Sequence, residues 1–320
     1  MGNLNQNNIR ECQSKFSLSY HVSFAHNCQQ LVGFAGKDVL EVGGSLPKEF
    51  VLDYLQAKSW SAMETPDYDE ALAEVGGSPH QGTAFDDIIR TSRRDDLGFR
   101  DRDLERYNLF IGKVEELPEE HYQKYDLIFS IAAFEHIHKM PQALEKMYLA
   151  LRPGGKVFSM FCPIWSAPDG HHIPAVTDKQ GVTIERGGEN CPIPDWGHLT
   201  MRPPEMCAHL YQYTDRETAD FLVYYIYNSD HINRFFLEDH LQFVEQSPFL
   251  AEILKPIYPR QAAPDAIEKL KRLYPADRDF LSNGLMMVLA KPEEHASAAE
   301  TLAEIPDETP TTNTGPAILF

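Results

Sequence analysis

The feature that most constrains the fold is the alternation of short apolar runs with amphipathic segments of helical period. Lys37 to Gly43 is an apolar run that ends in glycines, as is typical of a buried strand entering a tight turn. The next segment, Pro47 to Gln56, spaces its apolar residues along one helix face. Further strands are predicted at Lys58 to Glu64, Asn108 to Gly112, Tyr125 to Ile131, Lys156 to Phe161 and Gly284 to Lys291, and helices at Asp67 to Val75 and Pro141 to Leu151. This order predicts an α/β fold with a doubly wound, mostly parallel sheet and helices on both faces.

The alternation stops between Pro163 and Gln246, where we predict an inserted cap over one end of the sheet. The cap begins with a Pro-, Gly- and His-rich stretch and continues into aromatic-rich helices predicted at Asp215 to Asn228 and at about Asp230 to Gln246. The segment from Glu293 to Phe320 holds acids but no Lys or Arg, and it predicts a disordered tail. The predicted organisation is an N-terminal helical lid (1–36), a core (37–162), the cap (163–247), the last strands of the core (248–292) and the tail (293–320), with a loop excursion at 76–106.

Charge and cysteine content exclude several classes of protein. The chain has 48 acidic and 29 basic residues, for a formal net charge of −19, so we expect no cationic groove and no nucleic-acid partner. No apolar run reaches the roughly 18 residues of a membrane span, and residues 1–15 lack a secretory signal. The five cysteines have no C-x-x-C spacing. We therefore expect a cytoplasmic protein without membrane contact, and the sequence leaves its oligomeric state open.

The end of the first predicted strand carries a candidate binding site. Open parallel sheets bind ligands outside the carboxyl ends of their strands, where the strand order reverses. Glu41 to Ser45 brings small residues to that point, so that a ligand can approach the backbone closely. Glu64 ends the second strand, where an acid can accept hydrogen bonds from both ribose hydroxyls. The pattern indicates a nucleoside site, and a plain strand, turn and helix with a surface acid is the alternative.

Two later blocks narrow this choice: YDLIFSIAAFEHI at residues 125–137 and LRPGGKVF at residues 151–158. Together with VLEVGG at 39–44 and the acid at Glu64, in this order, they resemble the class I S-adenosylmethionine-dependent methyltransferases. The resemblance covers about Lys37 to Cys162 and Gly284 to Pro292. It implies a Rossmann-like fold, methyltransferase activity and S-adenosylmethionine as cofactor.

The resemblance also implies where the cofactor binds. The loop after the first strand would enclose the methionine moiety, Glu64 would hold the ribose, the residues after the third strand would lie near the adenine, and the end of the fourth strand would lie under the sulfonium. The implied cofactor-binding residues are Glu41, Gly43, Gly44, Ser45, Glu64, Val114, Glu115, Ser130 and Ile131.

This chain departs from the family pattern at two positions. Ser45 stands where the second glycine of the loop is usual, and Lys113 stands where an acid near the adenine is often found. These departures leave open a non-catalytic fold member that binds the nucleoside. A dinucleotide site fits less well, because GGSLPK after the first strand does not supply G-x-G-x-x-G.

Three histidines follow the fifth predicted strand, where the chain leaves the sheet beside the transferable methyl group. A hydroxyl acceptor must lose a proton, and histidine is suited to accept it near neutral pH. We predict His171, His172 and His198 as catalytic residues, and histidines that only stabilise their own loops are the alternative.

No metal site is predicted. Some family members bind a divalent metal through E-x-x-E-H, but Ala132 stands at the first acid position before Glu135 and His136. A set formed by His171 or His172 with Asp195 and His198 is left open as an alternative.

The cap predicts a small acceptor that is enclosed away from water, with Tyr20, His21, Phe24 and His26 of the N-terminal segment as a lid. The WGHL and SDHINRFF segments are similar to methyltransferases of bacterial surface-glycan and secondary-metabolite pathways. That similarity implies a sugar or natural-product hydroxyl as the methyl acceptor. A nitrogen or carbon acceptor, or a basic protein substrate, is the alternative.

Overall fold

A seven-stranded sheet forms the centre of the computed structural model, which describes residues 4–44, 46–65 and 106–293. Its strands are β1 (Asp38–Val42), β2 (Ser59–Glu64), β3 (Tyr107–Ile111), β4 (Tyr125–Ile131), β5 (Leu151–Phe161), β8 (Leu250–Ile257) and β9 (Gly284–Ala290), in the spatial order β3-β2-β1-β4-β5-β9-β8. The first five strands in this order are parallel, and β9 and β8 pair antiparallel at the other edge. The predicted mostly parallel, doubly wound sheet is confirmed.

Helices cover both faces of the sheet because its strands alternate apolar residues to the two sides. One face packs against α1 (Ile9–Phe16), α2 (Tyr20–Leu31) and the single turn Phe50–Tyr54. The other face packs against α3 (Met140–Ala150) and α7 (Leu237–Glu245). Neighbouring residues of β1 and β4 divide between the two cores, so these central strands are buried on both sides.

The strand order reverses between β1 and β4. From β1 the chain builds outward to β2 and β3, and it then returns to place β4 and β5 on the other side of β1. The carboxyl ends of β1 and β4 therefore border a crevice, which is the usual ligand site of an open α/β sheet.

The insertion between β5 and β8 has an apolar core of its own. It contains the short hairpin β6 (Val176–Thr177) and β7 (Thr183–Ile184), and the helices α4 (Gly197–Thr200), α5 (Pro203–Leu210) and α6 (Arg216–Tyr227). Trp165, Leu222 and Phe280 are buried in this core, which also receives α8 (Pro264–Leu273). The sequence pattern showed no strands in the insertion, and the hairpin strands are too short to show any alternation.

The second predicted cap helix starts later than expected, at Leu237 rather than about Asp230. Residues 228–236 form a loop instead, in which Asn233 and Arg234 donate side-chain hydrogen bonds to main-chain carbonyls. The Asp239 carboxylate accepts the Phe236 amide hydrogen bond and so fixes the start of α7. Polar side chains that bind the backbone compete with helix formation in this way.

Three predicted segments lie outside the described residues: the helix Asp67 to Val75, nearly all of the excursion 76–106, and the tail beyond Glu293. The edge strand β8 was not marked by the sequence pattern, because most of its side chains are exposed and its apolar residues do not alternate. No helix in the described ranges has the length and apolar character needed to cross a bilayer.

Candidate active site

The loop after β1 presses directly against the turn after β4. Gly43 has a φ of +78°, and a Cβ built on it would lie 2.3 Å from the Cβ of Ala133. A Cβ on Gly44 would lie 2.8 Å from Oε1 of Glu41. Only glycine fits at these two positions, because Ala133 and Glu41 fill the space that a Cβ would take. Ser45, the next predicted contact, lies outside the described residues.

Glu41 holds this loop from inside the protein. Its side chain is 2% exposed, and Oε2 accepts hydrogen bonds from the Leu46 amide at 2.9 Å and from Trp60 Nε1 at 2.7 Å. Burial raises the pKa of the Glu41 carboxyl to about 7, against the lowering effect of these two donors. The sequence interpretation placed Glu41 around the methionine moiety, whereas its carboxylate lies beneath the loop and fixes the loop's shape.

Glu64 lies beside the glycine turn at the end of the neighbouring strand. Val42 pairs with Met63, and the Gly43 amide donates to the Met63 carbonyl at 2.9 Å, so Glu64 follows directly at the crevice. The half-buried Glu64 carboxylate is thus in the position that was predicted for a ribose-binding acid.

The ends of β3 and β4 complete the crevice. Val114 is buried in a single turn (Val114–Glu116), and Glu115 beside it is half-buried. Ser130 is fully buried and donates through Oγ to the Val42 carbonyl at 2.9 Å. This bond joins the ends of β1 and β4, and Ile131 next to it is 5% exposed. The structure therefore brings together the predicted cofactor residues that it describes, with Ser130 acting within the sheet.

A polar cluster lies at the same end of the sheet, on the turn after β4 (Phe134–His136) and the loop after β5. Ligating atoms of Glu135, His136 and His172 all lie within 4.8 Å of one another. The His136 and His172 ring centroids are 5.0 Å apart. The sequence marked Glu135 and His136 only as an incomplete metal-binding pattern interrupted by Ala132, and it did not indicate His172 as their neighbour because His172 is distant along the chain.

Burial governs the protonation of this cluster. Glu135 is 1% exposed, and burial raises the pKa of its carboxyl to about 8. Burial lowers the pKa of His172 well below its ordinary value, and the neighbouring His136 lowers it further. Near neutral pH, His172 is therefore a neutral imidazole that can accept a proton or bind a cation.

The other two predicted catalytic histidines lie deeper. His198 Nε2 donates to the Trp165 carbonyl at 2.7 Å, and the two rings are in edge contact at 4.5 Å. Burial lowers the pKa of both His171 and His198 to about 3. These contacts give His198 a structural role in the insertion, and its catalytic role stays a prediction. Asp195 is exposed and is not part of the cluster described above, so the metal set left open with His198 is not assembled.

Tyr20 of helix α2 and Cys162 after β5 lie near enough to Glu135 for its charge to affect them. Burial raises the pKa of Tyr20 and of Cys162, the latter to about 12, and in both cases the Glu135 carboxylate adds to the effect. Tyr20 is 40% exposed and stacks on His21, whereas Phe24 is buried in the core. Of the predicted lid residues, Tyr20 is thus the one whose hydroxyl is electrostatically linked to the cluster.

A second cleft, of about 450 Å³, lies at the amino ends of the strands and away from the crevice. An ion-pair network occupies this end, in which Arg152 bridges Asp38 at 3.0 Å and Asp126 at 2.7 Å. These groups satisfy one another and stabilise the start of β1.

The sequence agrees with this placement of the site. Residues 85–157 match a family model described as a methyltransferase domain, and this stretch contains β3, β4, α3 and most of β5. This match, together with the sequence motifs, supports a class I S-adenosylmethionine-dependent methyltransferase. The cofactor of this family is S-adenosylmethionine.

Solved structures that match this chain include an S-adenosylmethionine-dependent methyltransferase from Mesorhizobium loti, at 14% identity, 82% coverage of this chain, 94% of that chain and a TM-score of 0.39. The YcgJ protein of Bacillus subtilis matches at 11% identity, with 86% and 99% coverage and a TM-score of 0.41. The CurJ carbon methyltransferase matches at 11% identity, with 85% coverage of this chain, 52% of that chain and a TM-score of 0.37. None of the curated proteins compared with this chain matches it.

The residues of the methyltransferase crevice fit this cofactor. The glycine turn after β1 lies at the carboxyl end of the sheet, and the acid Glu64 follows beside it at the end of the neighbouring strand. S-adenosylmethionine, when bound, supplies an electrophilic methyl group on a sulfonium.

Proposed function

We propose that this methyltransferase transfers a methyl group to a hydroxyl of a small molecule, most simply a sugar or a natural product. The observation that carries the proposal is the position of the Glu135, His136 and His172 cluster. Glu135 lies two residues after Ala133, which contacts the glycine turn, so the cluster adjoins the cofactor crevice. The insertion supplies His172 to this cluster, and buried polar groups there suit a polar acceptor.

The cofactor would be held at the carboxyl ends of the strands. In this proposal the Gly43 and Gly44 backbone encloses the methionine moiety, and Glu64 accepts hydrogen bonds from the ribose hydroxyls. Val114 and Glu115 border the adenine. Ser130, Ile131 and Glu41 shape the site from beneath, since the Ser130 hydroxyl and the Glu41 carboxylate already bind the protein's own groups.

The chemistry that this arrangement must perform is a displacement at carbon. An oxygen–methyl bond forms as the sulfur–methyl bond breaks, and the hydroxyl proton leaves. The protein contributes mainly by holding the two partners in line. A neutral imidazole of the loop after β5, His171 or His172, accepts the proton.

The test is transfer of isotope-labelled methyl from S-adenosylmethionine to a panel of sugars, sugar nucleotides and phenolic natural products. We expect an O-methyl ether as product, identified by mass spectrometry and by the chemical shift of its methyl carbon. Labelling of an amine, a carbon or a basic protein instead would overturn the hydroxyl assignment. Cofactor binding without transfer to any member of the panel would favour the non-catalytic alternative.

A further inference from the structure

We propose that Glu135, His136 and His172 bind a divalent transition-metal cation at the acceptor end of the crevice. The binding site stands on the geometry of these three side chains. Its role in catalysis, given below, rests on the proposed function.

Glu135 is the first reason to expect a cation. Its side chain is 1% exposed, and neither carboxylate oxygen has a hydrogen-bond partner in another described residue. Leaving a buried carboxylate unpaired costs several kcal/mol, so buried acids are usually paired or bound to metal. Arg186 is the nearby cation, but its guanidinium pairs with Asp169 at 3.2 Å. One guanidinium therefore serves the Asp169 carboxylate and leaves Glu135 without an ion-pair partner of its own among the described residues.

His136 is already oriented as a metal ligand. Its Nδ1 lies 2.6 Å from the main-chain carbonyl of His231, and a carbonyl can only accept, so Nδ1 carries the proton. The neutral ring then has its lone pair on Nε2. Metal-binding histidines commonly donate their other nitrogen to a carbonyl or carboxylate in this way, which fixes the ring.

His172 supplies the third ligand in place of the acid that the sequence lacks. Its Nδ1 is buried without a hydrogen-bond partner among the described residues. Its φ of +50° is in the left-handed region, which is uncommon for a residue with a side chain and tends to occur at functional sites. That backbone turns the ring toward His136.

The spacing and chemistry of the donors fit a first-row transition metal. Ligands at about 2.1 Å from a cation lie about 3.0–3.4 Å apart when adjacent and about 4.2 Å apart when opposite, so donors within 4.8 Å of one another reach coordinating distance by moving inward. Two imidazoles with one carboxylate favour Zn²⁺, Fe²⁺, Mn²⁺ or Co²⁺ over Mg²⁺ or Ca²⁺, and they leave positions open for other ligands.

The insertion holds the turn that carries two of these ligands. Asn233 Nδ2 donates to the carbonyls of Phe134 at 2.6 Å and Ile137 at 2.9 Å, and its amide donates to the Glu135 carbonyl at 2.8 Å. The ligands are therefore fixed before a cation arrives, which favours binding.

Under the proposed function, an acceptor hydroxyl takes an open position on the cation. Coordination would lower the pKa of that hydroxyl, so that its proton passes to water as the oxygen–methyl bond forms and the sulfur–methyl bond breaks.

The test is titration of the full, chelator-treated chain with Zn²⁺ and with Co²⁺, by calorimetry and by the visible spectrum of Co²⁺. We expect one cation per chain, with affinity at least 10-fold lower in Glu135→Gln and in His172→Ala. His138→Ala is the matched control, since His138 is two residues from His136 but exposed and bonded to the Asp230 carbonyl. It should bind the cation as the wild type does. Equal affinity in Glu135→Gln and wild type, with both chains folded by circular dichroism, would overturn the proposal.

The metal site and the hydroxyl acceptor can fail separately. Methyl ether formation that persists at full rate after chelation would overturn the catalytic role of the cation and leave the proposed function standing. Stoichiometric metal binding with methylation only of nitrogen or carbon would overturn the hydroxyl acceptor and leave the metal-binding site standing.

Discussion

The Cβ that Gly43 lacks would lie 2.3 Å from the Cβ of Ala133, so the loop after β1 and the turn after β4 meet without room for another atom. Ala133 directly precedes the turn that carries Glu135 and His136. The backbone that is expected to hold the cofactor and the side chains that are expected to meet the acceptor therefore share one contact.

A Gly43→Ala variant tests that contact. Alanine at this position would be strained by the left-handed φ of +78°, and its Cβ would overlap Ala133. We therefore expect the free energy of unfolding to fall by about 2–4 kcal/mol and S-adenosylhomocysteine to bind at least 10-fold more weakly. Urea unfolding and calorimetry measure the two effects.

Gly181→Ala is the control for the backbone effect alone. Gly181 has a φ of +82°, but nothing lies within 4 Å of its missing Cβ. We expect a loss of about 1 kcal/mol and unchanged binding. Equal losses in both variants would mean that the contact with Ala133 is unimportant.

Glu64→Ala tests the ribose assignment. Loss of hydrogen bonds to a charged group should weaken S-adenosylhomocysteine binding by about 1.5–3 kcal/mol, while the free chain unfolds as before. Binding isotherms of wild type, Glu64→Ala and the surface variant Glu268→Ala on α8 give the comparison. Unchanged affinity in Glu64→Ala would remove Glu64 from the cofactor site.

The buried Glu41 predicts a pH dependence of stability. The pKa of Glu41 is about 7 in the folded chain and about 4.5 in the unfolded chain. Between pH 4.5 and pH 7 the folded chain therefore binds more protons than the unfolded chain. The contribution of Glu41 to the free energy of unfolding is therefore full below pH 4.5 and is lost as the pH rises through about 7. Relative to Glu41→Gln, the wild type should lose up to about 3 kcal/mol over this interval.

Urea unfolding of both chains at half-unit pH steps measures that difference. The buried histidines contribute the opposite slope, but they are present in both proteins and cancel in the comparison. A difference that stays flat or grows with pH would show that Glu41 is ionised in the folded chain throughout.

Alanine variants of the three predicted catalytic histidines should differ in whether they lower turnover or stability. His171→Ala and His172→Ala should lower turnover by roughly 10²–10⁴-fold while S-adenosylhomocysteine binding stays the same. His198→Ala should instead lower the free energy of unfolding by about 2–3 kcal/mol, because it removes a buried ring and leaves the Trp165 carbonyl unpaired. Single-turnover kinetics and urea unfolding distinguish the two outcomes, and a reversed pattern would return His198 to the catalytic set.

The centre of the sheet could be predicted from the sequence because β1 and β4 are buried on both faces and read as continuous apolar runs. The strand Tyr125 to Ile131 was placed without error for this reason. The edge strand β8 was missed because most of its residues are exposed and show no period.

The polar cluster could not be predicted, because no local pattern records that His172 returns to Glu135. The inward orientation of Glu41 was equally hidden. An acid after an apolar strand residue looks the same whether it faces a ligand or the indole of Trp60, and only the packing of that indole decides the matter.

The turn after β4 is held by the insertion largely through main-chain carbonyls, at Phe134, Glu135, Ile137 and His231. Any amino acid supplies a carbonyl, so these bonds demand a particular side chain only at Asn233 and His136. A library randomised at position 231 should therefore keep this anchorage, while one randomised at position 233 should not. The insertion can accordingly be diversified to accept new substrates at many positions without redesigning its attachment to the catalytic sheet.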